Sequence, residues 1–134
     1  MEKRKVLLFF GNADMEHAMK MGFEDTEFIC EVVAHHFELM GKVTEPDVLA
    51  IFLDETISDA GDFGGRKTQT YQNTATLVLD DLQEIGSEVK VILVSTWHES
   101  DYANNEKRLF VAFKSTQTFS NGNWQNLMKR LRAL

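Results

Sequence analysis

Three stretches of the chain are short, unbroken apolar runs closed by polar residues: Lys5–Phe10, Val48–Leu53 and Val89–Val94, with Leu109–Phe113 resembling them. Unbroken runs rich in β-branched and aromatic residues, rather than alternating ones, are what the strands of a parallel sheet covered on both faces require. Between them the apolar positions fall at helical spacing. Ile29, Val32, Val33, His36, Phe37 and Met40 share one helical face, which predicts a helix from about Asp25 to Met40 with Gly41 as its stop. Thr76, Leu77, Leu79, Leu82 and Ile85 form a second amphipathic stretch that ends at Gly86. Trp124, Leu127, Met128 and Leu131 form a third, with Asn121 or Asn123 available as its cap.

Strand and helix therefore alternate along the chain, the pattern of an α/β three-layer sandwich around a mainly parallel sheet of four or five strands. The count is four if Asp25–Met40 is helical throughout. Ligands of such sheets bind beyond the carboxyl ends of the strands, so the residues that follow each strand are the functional candidates. These are Gly11, Asn12 and Asp14 after the first strand, and Asp54 and Glu55 after the second. Ser95 and Thr96 follow the third, and Lys114 and Ser115 the fourth. An acid, a hydroxyl and a lysine are expected on one edge.

Composition narrows the classes. A chain of 134 residues with 43% hydrophobic content suits one core, so residues 1–134 are expected to form a single domain. No apolar run approaches the roughly 18 residues of a membrane span, and the start of the chain lacks a signal-peptide core. With Cys30 as the sole cysteine, no internal disulfide or Cys-x-x-Cys site can form. These features predict a soluble, cytoplasmic protein without a membrane partner. The net charge of -7, spread along the chain apart from Lys3-Arg4-Lys5 and Lys129-Arg130-Arg132, argues against nucleic acid, whose binding needs a basic face. Pro46 lies in a connection, Lys42 to Asp47, not in a linker between domains.

Pro46-Asp47 with Leu53-Asp54, then Val91–Thr96, then Val111-Ala-Phe-Lys114, resemble the receiver domain of two-component response regulators. The resemblance implies a flavodoxin-like fold, with Asp54 as phosphoacceptor and Ser95 or Thr96 as the hydroxyl that reports the phosphoryl group. It implies Lys114 as charge partner and Mg²⁺ held by Asp54 and Asp14. It also implies a protein partner, either a kinase or an output protein, and a second strand around Phe28–Val33 in place of the helical period there. The chain departs from the family at three places. Phe10-Gly11 stand where receivers carry a metal-binding acidic pair, Ser115 stands where proline is usual, and the segment between Asp54 and Ser95 is long. Loss of that pair removes oxygen ligands from a hard cation. The functional expectation is thus a receiver-like signalling module, phosphorylated on Asp54 or switching a protein-binding surface without phosphorylation; the alternative is a small nucleotide- or phosphate-handling enzyme using the same edge.

Gly61-Asp-Phe-Gly-Gly-Arg-Lys67-Thr68 differs from the phosphate-binding loop G-x-x-x-x-G-K-[ST] by Arg66 at the second glycine, and it starts several residues after its strand. A Gly-rich surface loop is the expected reading. Phe52-Leu-Asp54-Glu-Thr-Ile57 is similar to the nucleophile motif of haloacid-dehalogenase-like phosphatases. Thr56 occupies the place of their second aspartate, which counts against that chemistry. Of His35-His36, His36 falls on the apolar face and is expected to be packed and hydrogen-bonded rather than metal-bound. Asp80-Asp81 and Glu84 are expected on a solvated helix face, and Trp97-His98-Glu99 in a loop after the third strand.

Overall fold

The computed structural model describes residues 4–10, 13–54, 71–94, 112–113 and 122–134, with the backbone alone at 54, 71–77, 93–94, 112–113 and 123. The elements run β1 (Lys5–Phe9), α1 (Ala13–Phe23), β2 (Ile29–Val32), α2 (His36–Lys42), β3 (Val48–Asp54), α3 (Tyr71–Glu84), β4 (Lys90–Val94), β5 (Ala112–Phe113) and α4 (Asn123–Arg132). The strands form one five-stranded sheet in the order β2-β1-β3-β4-β5, and every pairing is parallel.

The unbroken apolar runs became the inner strands because both faces of the sheet are covered. Leu7, Phe9, Ile51, Leu53 and Val91 point to one side, where they pack with Leu39 of α2, Val43 just after it, and Val78, Leu79 and Leu82 of α3. Val6, Leu8, Ala50, Phe52 and Ile92 point to the other, against Met19 and Phe23 of α1 and Leu127, Met128 and Leu131 of α4. This is the expected three-layer sandwich. From β1 the chain crosses one way to β2 by α1, then returns past β1 to β3 by α2 on the opposite face. Opposite directions on opposite faces give both crossovers one hand, as twisted parallel sheets demand. The reversal leaves a topological switch point between β1 and β3, as in the flavodoxin-like order.

The helix expected from Asp25 to Met40 is not there. Ile29–Val32 is an edge strand in register with Lys5–Leu8, tied by Ile29 N–H to Arg4 O at 2.9 Å and Val33 N–H to Leu8 O at 2.8 Å. The helix begins only at His36. Cys30, Val32 and Phe28 turn toward the α1 side, while Ile29 is 52% exposed and Phe37 85% exposed, so the apolar face implied by the period is not one surface. Backbone bonds to β1 satisfied the segment better than a helix with no facing partner.

The stops differ in the same way. Gly41 lies within α2, which runs to Lys42 and closes with the Val43 N–H on Leu39 O. Gly86 does end α3: with φ 74° it adopts the left-handed turn, and Ser87 N–H to Leu82 O with Gly86 N–H to Gln83 O completes a Schellman closure. At α4 the N-cap is a glycine. Gly122, at φ 75°, occupies the N-cap without a side-chain bond, Asn123 is the first helical residue, and Asn121 lies outside the described residues.

Candidate functional site

The carboxyl edge of the sheet is assembled by register. Phe9 at the end of β1 pairs with Leu53, and Asp54, one residue further along β3, pairs with Val94 of β4, which pairs in turn with Phe113 of β5. Asp54 therefore closes the central strand on the β3 side of the switch point. Of the residues expected on this edge, Asp54 ends β3 and Asp14 lies in the first turn of α1. Ser95 and Thr96 follow Val94 in the chain and Lys114 and Ser115 follow Phe113, and all four lie outside the described residues, as do Gly11, Asn12, Glu55, the 61–68 stretch and Trp97-His98-Glu99.

Asp14 is exposed in the first turn of α1, beside Glu16. An acidic first turn complements the amino-terminal end of a helix dipole, which accounts for both residues without a ligand. Phe10, which stands where a metal-binding acid would be needed, is half-buried and packs against the cluster on the α1 side. It brings carbon where a hard cation such as Mg²⁺ requires oxygen, and Mg²⁺ favours about six oxygen ligands in an octahedron. Among the described residues no group of three or more His, Cys, Asp or Glu could hold a metal ion.

Below the edge lies a contact that sequence reasoning located only in part. His36, the first residue of α2, is buried, and its Nε2 lies 2.7 Å from Oδ2 of Asp81 on α3. Its ring also faces Phe9, the last residue of β1, with centroids 6.5 Å apart. The histidine is packed and hydrogen-bonded as expected. The placement of Asp81 differs from the expectation of a solvated face: Asp80 and Glu84 are on that face, but Asp81 turns inward to meet the imidazole. A histidine on an apolar face signals that some polar partner must exist, and nothing local to it names a residue 45 positions away.

At the opposite, amino edge, Lys5 gathers three carboxylates. Its Nζ lies 3.0 Å from Glu45, 3.5 Å from Asp47 and 3.7 Å from Glu31, and Lys42 bonds the other oxygen of Glu31 at 3.0 Å. The hydrogen bond to Glu45, with the charges of Glu31 and Asp47, raises the Lys5 ammonium against the opposing effect of burial. These charges fasten β1, β2, the end of α2 and the turn before β3 to one another.

No protein-family model matches the chain, and no curated protein matches it. Solved structures do. A CheY-like response regulator receiver domain from Methanospirillum hungatei JF-1 is 12% identical, over 98% of this chain and 96% of that one, at a TM-score of 0.63. A response regulator receiver protein from Pseudoalteromonas atlantica is 11% identical, over 94% and 98%, at 0.61. A chain from the complex of the CheA3 P1 domain with CheY6 of R. sphaeroides is 19% identical over 100% of both, at 0.58. At such identities the likeness is one of fold. The chain has a fold like that of these receiver domains.

Proposed function

We propose that this chain is a signalling module that switches a surface for a protein partner, with Asp54 as the residue on which a phosphoryl group acts. One observation carries the reading: Asp54 ends the central strand of a receiver-like sheet at its topological switch point. In this assignment Ser95 or Thr96 supplies the hydroxyl that follows the phosphoryl group, and Lys114 neutralises its oxygens. Chain continuity supports the set, since Ser95 follows the residue paired with Asp54 and Lys114 follows the next residue in that row. Attack by a carboxylate on a phosphoryl donor is ordinary nucleophilic chemistry for aspartate. A bound Mg²⁺ would neutralise the transferring oxygens, with Asp54 and Asp14 as its protein ligands. Because that set is thin, the proposal gives equal standing to a switch that binds its partner without phosphorylation. A nucleotide- or phosphate-handling enzyme has less in its favour, as its phosphate loop would be 61–68 with Arg66 in the wrong place.

The test is an amide NMR titration with Mg²⁺ and beryllofluoride, which mimics an aspartyl phosphate, on the native chain and on Asp54→Asn. Saturable shifts around Asp54, Ser95 and Lys114 that vanish in the variant are expected of a phosphorylatable module. A spectrum that neither reagent moves would remove phosphorylation and leave the phosphorylation-independent switch.

A further inference from the structure

Helix α2 is held differently from the other described helices. It has 7 residues, against 11 in α1, 14 in α3 and 10 in α4. The one apolar side chain that it buries is Leu39, where α1 buries Met19 and Phe23 and α4 buries Leu127, Met128 and Leu131. Isolated helices below about 12 residues are marginal in water, and Gly41 within α2 weakens the helix further. Tertiary contacts must therefore hold it in place, and two of them are polar ties at its ends.

At its first residue, His36 Nε2 lies 2.7 Å from Asp81 Oδ2 of α3. At its last, Lys42 Nζ donates to Glu31 Oε1 of β2 at 3.0 Å, and the other oxygen of Glu31 lies 3.7 Å from Lys5 of β1. The helix is thus tied to α3 at one end and to the edge strand at the other. Lys42 and Glu31 are partly exposed, so water can replace their bond at small cost. The turn that follows α2 has anchors of its own: Lys5 Nζ holds Glu45 at 3.0 Å, and the Lys5 N–H donates to Asp47 O at 3.0 Å. When the two end ties part, α2 can leave its seat while β1, β2 and β3 keep their pairing and that turn serves as the hinge.

We propose that α2 is a strap that opens as a unit of its own, released when the His36–Asp81 and Lys42–Glu31 ties part together, and that its opening uncovers the apolar cluster to which Leu39 belongs. The use of that opening rests on the reading of the chain as a switching module, for which it names the moving element. The opening itself does not involve Asp54.

Native-state hydrogen exchange on the full chain, without Mg²⁺ or beryllofluoride, tests the strap through the amides of Leu39 and Val43, which donate to His35 O and Leu39 O at 3.0 Å each. They are expected to exchange about 10-fold or more faster than the amides of β1 and β3, with a much weaker dependence on urea, because a local opening exposes little surface. Asp81→Ala is expected to speed them by a further factor of about 10 and Lys42→Gln by about 3, since each tie is present in the closed state and absent in the open one. Arg132→Gln is the control. Its fork to Glu27 stays intact whether α2 is open or closed, so any acceleration it causes is expected in β3 and not in α2. Amides of α2 that share the rate and urea slope of β3 would overturn the proposal. So would a tie variant that leaves the α2 amides unmoved, or an Arg132→Gln that speeds them as much as Asp81→Ala does. None of these outcomes bears on Asp54, whose titration with Mg²⁺ and beryllofluoride is read separately, so the strap and the phosphorylation reading can fail independently.

Discussion

Glu27 is exposed, yet it is the residue by which the last helix holds the amino edge. Arg132 forks onto it, with Nε 2.8 Å from one oxygen and Nη2 3.1 Å from the other. That hydrogen-bonded fork, helped by a backbone bond to the same carboxylate and the charge of Arg4, holds the carboxyl down at about 2. A depressed carboxyl contributes its stability above the ordinary value of 4.5 and loses it as pH falls toward 2. Glu27→Gln is therefore expected to flatten the fall in urea midpoint between pH 4.5 and 2 relative to the native chain. Because the pair is exposed, the difference should shrink in about 1 M salt. An unchanged acid profile would mean that the fork forms only transiently. The sequence showed basic residues at the chain end and could not show that one of them reaches back 105 positions.

Between elements, the decisive contact is the one from α2 to α3. Truncating His36 leaves the inward-turned carboxylate of Asp81 without its imidazole, whereas Asp81→Asn can still accept from the ring. His36→Ala is thus expected to cost about 2–4 kcal/mol and Asp81→Asn less, and a double-mutant cycle should return a coupling of about 1–3 kcal/mol. Additive effects within about 0.5 kcal/mol would show the two side chains to be energetically independent. This contact also explains how the helical period between Asp25 and Met40 misleads. His36 and Val33 are buried as the period requires, but Val33 follows the end of β2 while His36 begins α2, and Phe37 is turned outward by that helix. Hydrophobic spacing reports burial and leaves the backbone that achieves it unspecified.

At the scale of the molecule, Phe23 joins the layer that holds α1 and α4. Its ring meets Phe28, Phe52 and Trp124 nearly edge-on, with centroids at 6.2, 5.5 and 5.0 Å, so one side chain links α1, the entry to β2, the central strand and α4. Phe23→Ala is expected to cost about 3–5 kcal/mol and to lower the stability of all these elements together. Hydrogen exchange should show protection lost across β1, β3 and α4 alike. Loss confined to α1 would mean that the layer is not one cooperative unit. Charge acts at this scale as well. Two residues of the basic ends that depart from the net charge of -7 are used internally, Lys5 by three carboxylates and Arg132 by Glu27.

Residue order alone was enough for the central strands, the ends of which mark the edge where Asp54 sits, since a run buried on both faces must be apolar throughout and this is visible locally. It was also enough for the Gly86 stop, because a left-handed turn needs glycine wherever it falls. It did not decide whether Ile29–Val32 pairs with β1 or coils, which partner His36 meets, or that Phe37 faces water. Each of those depends on atoms distant in the chain: the free edge of β1, the inward face of α3, and the direction in which α2 leaves the sheet. Backbone and side-chain polar groups choose partners by free energy in the folded whole, so a periodicity read from neighbours can name what is buried and not what it is buried against.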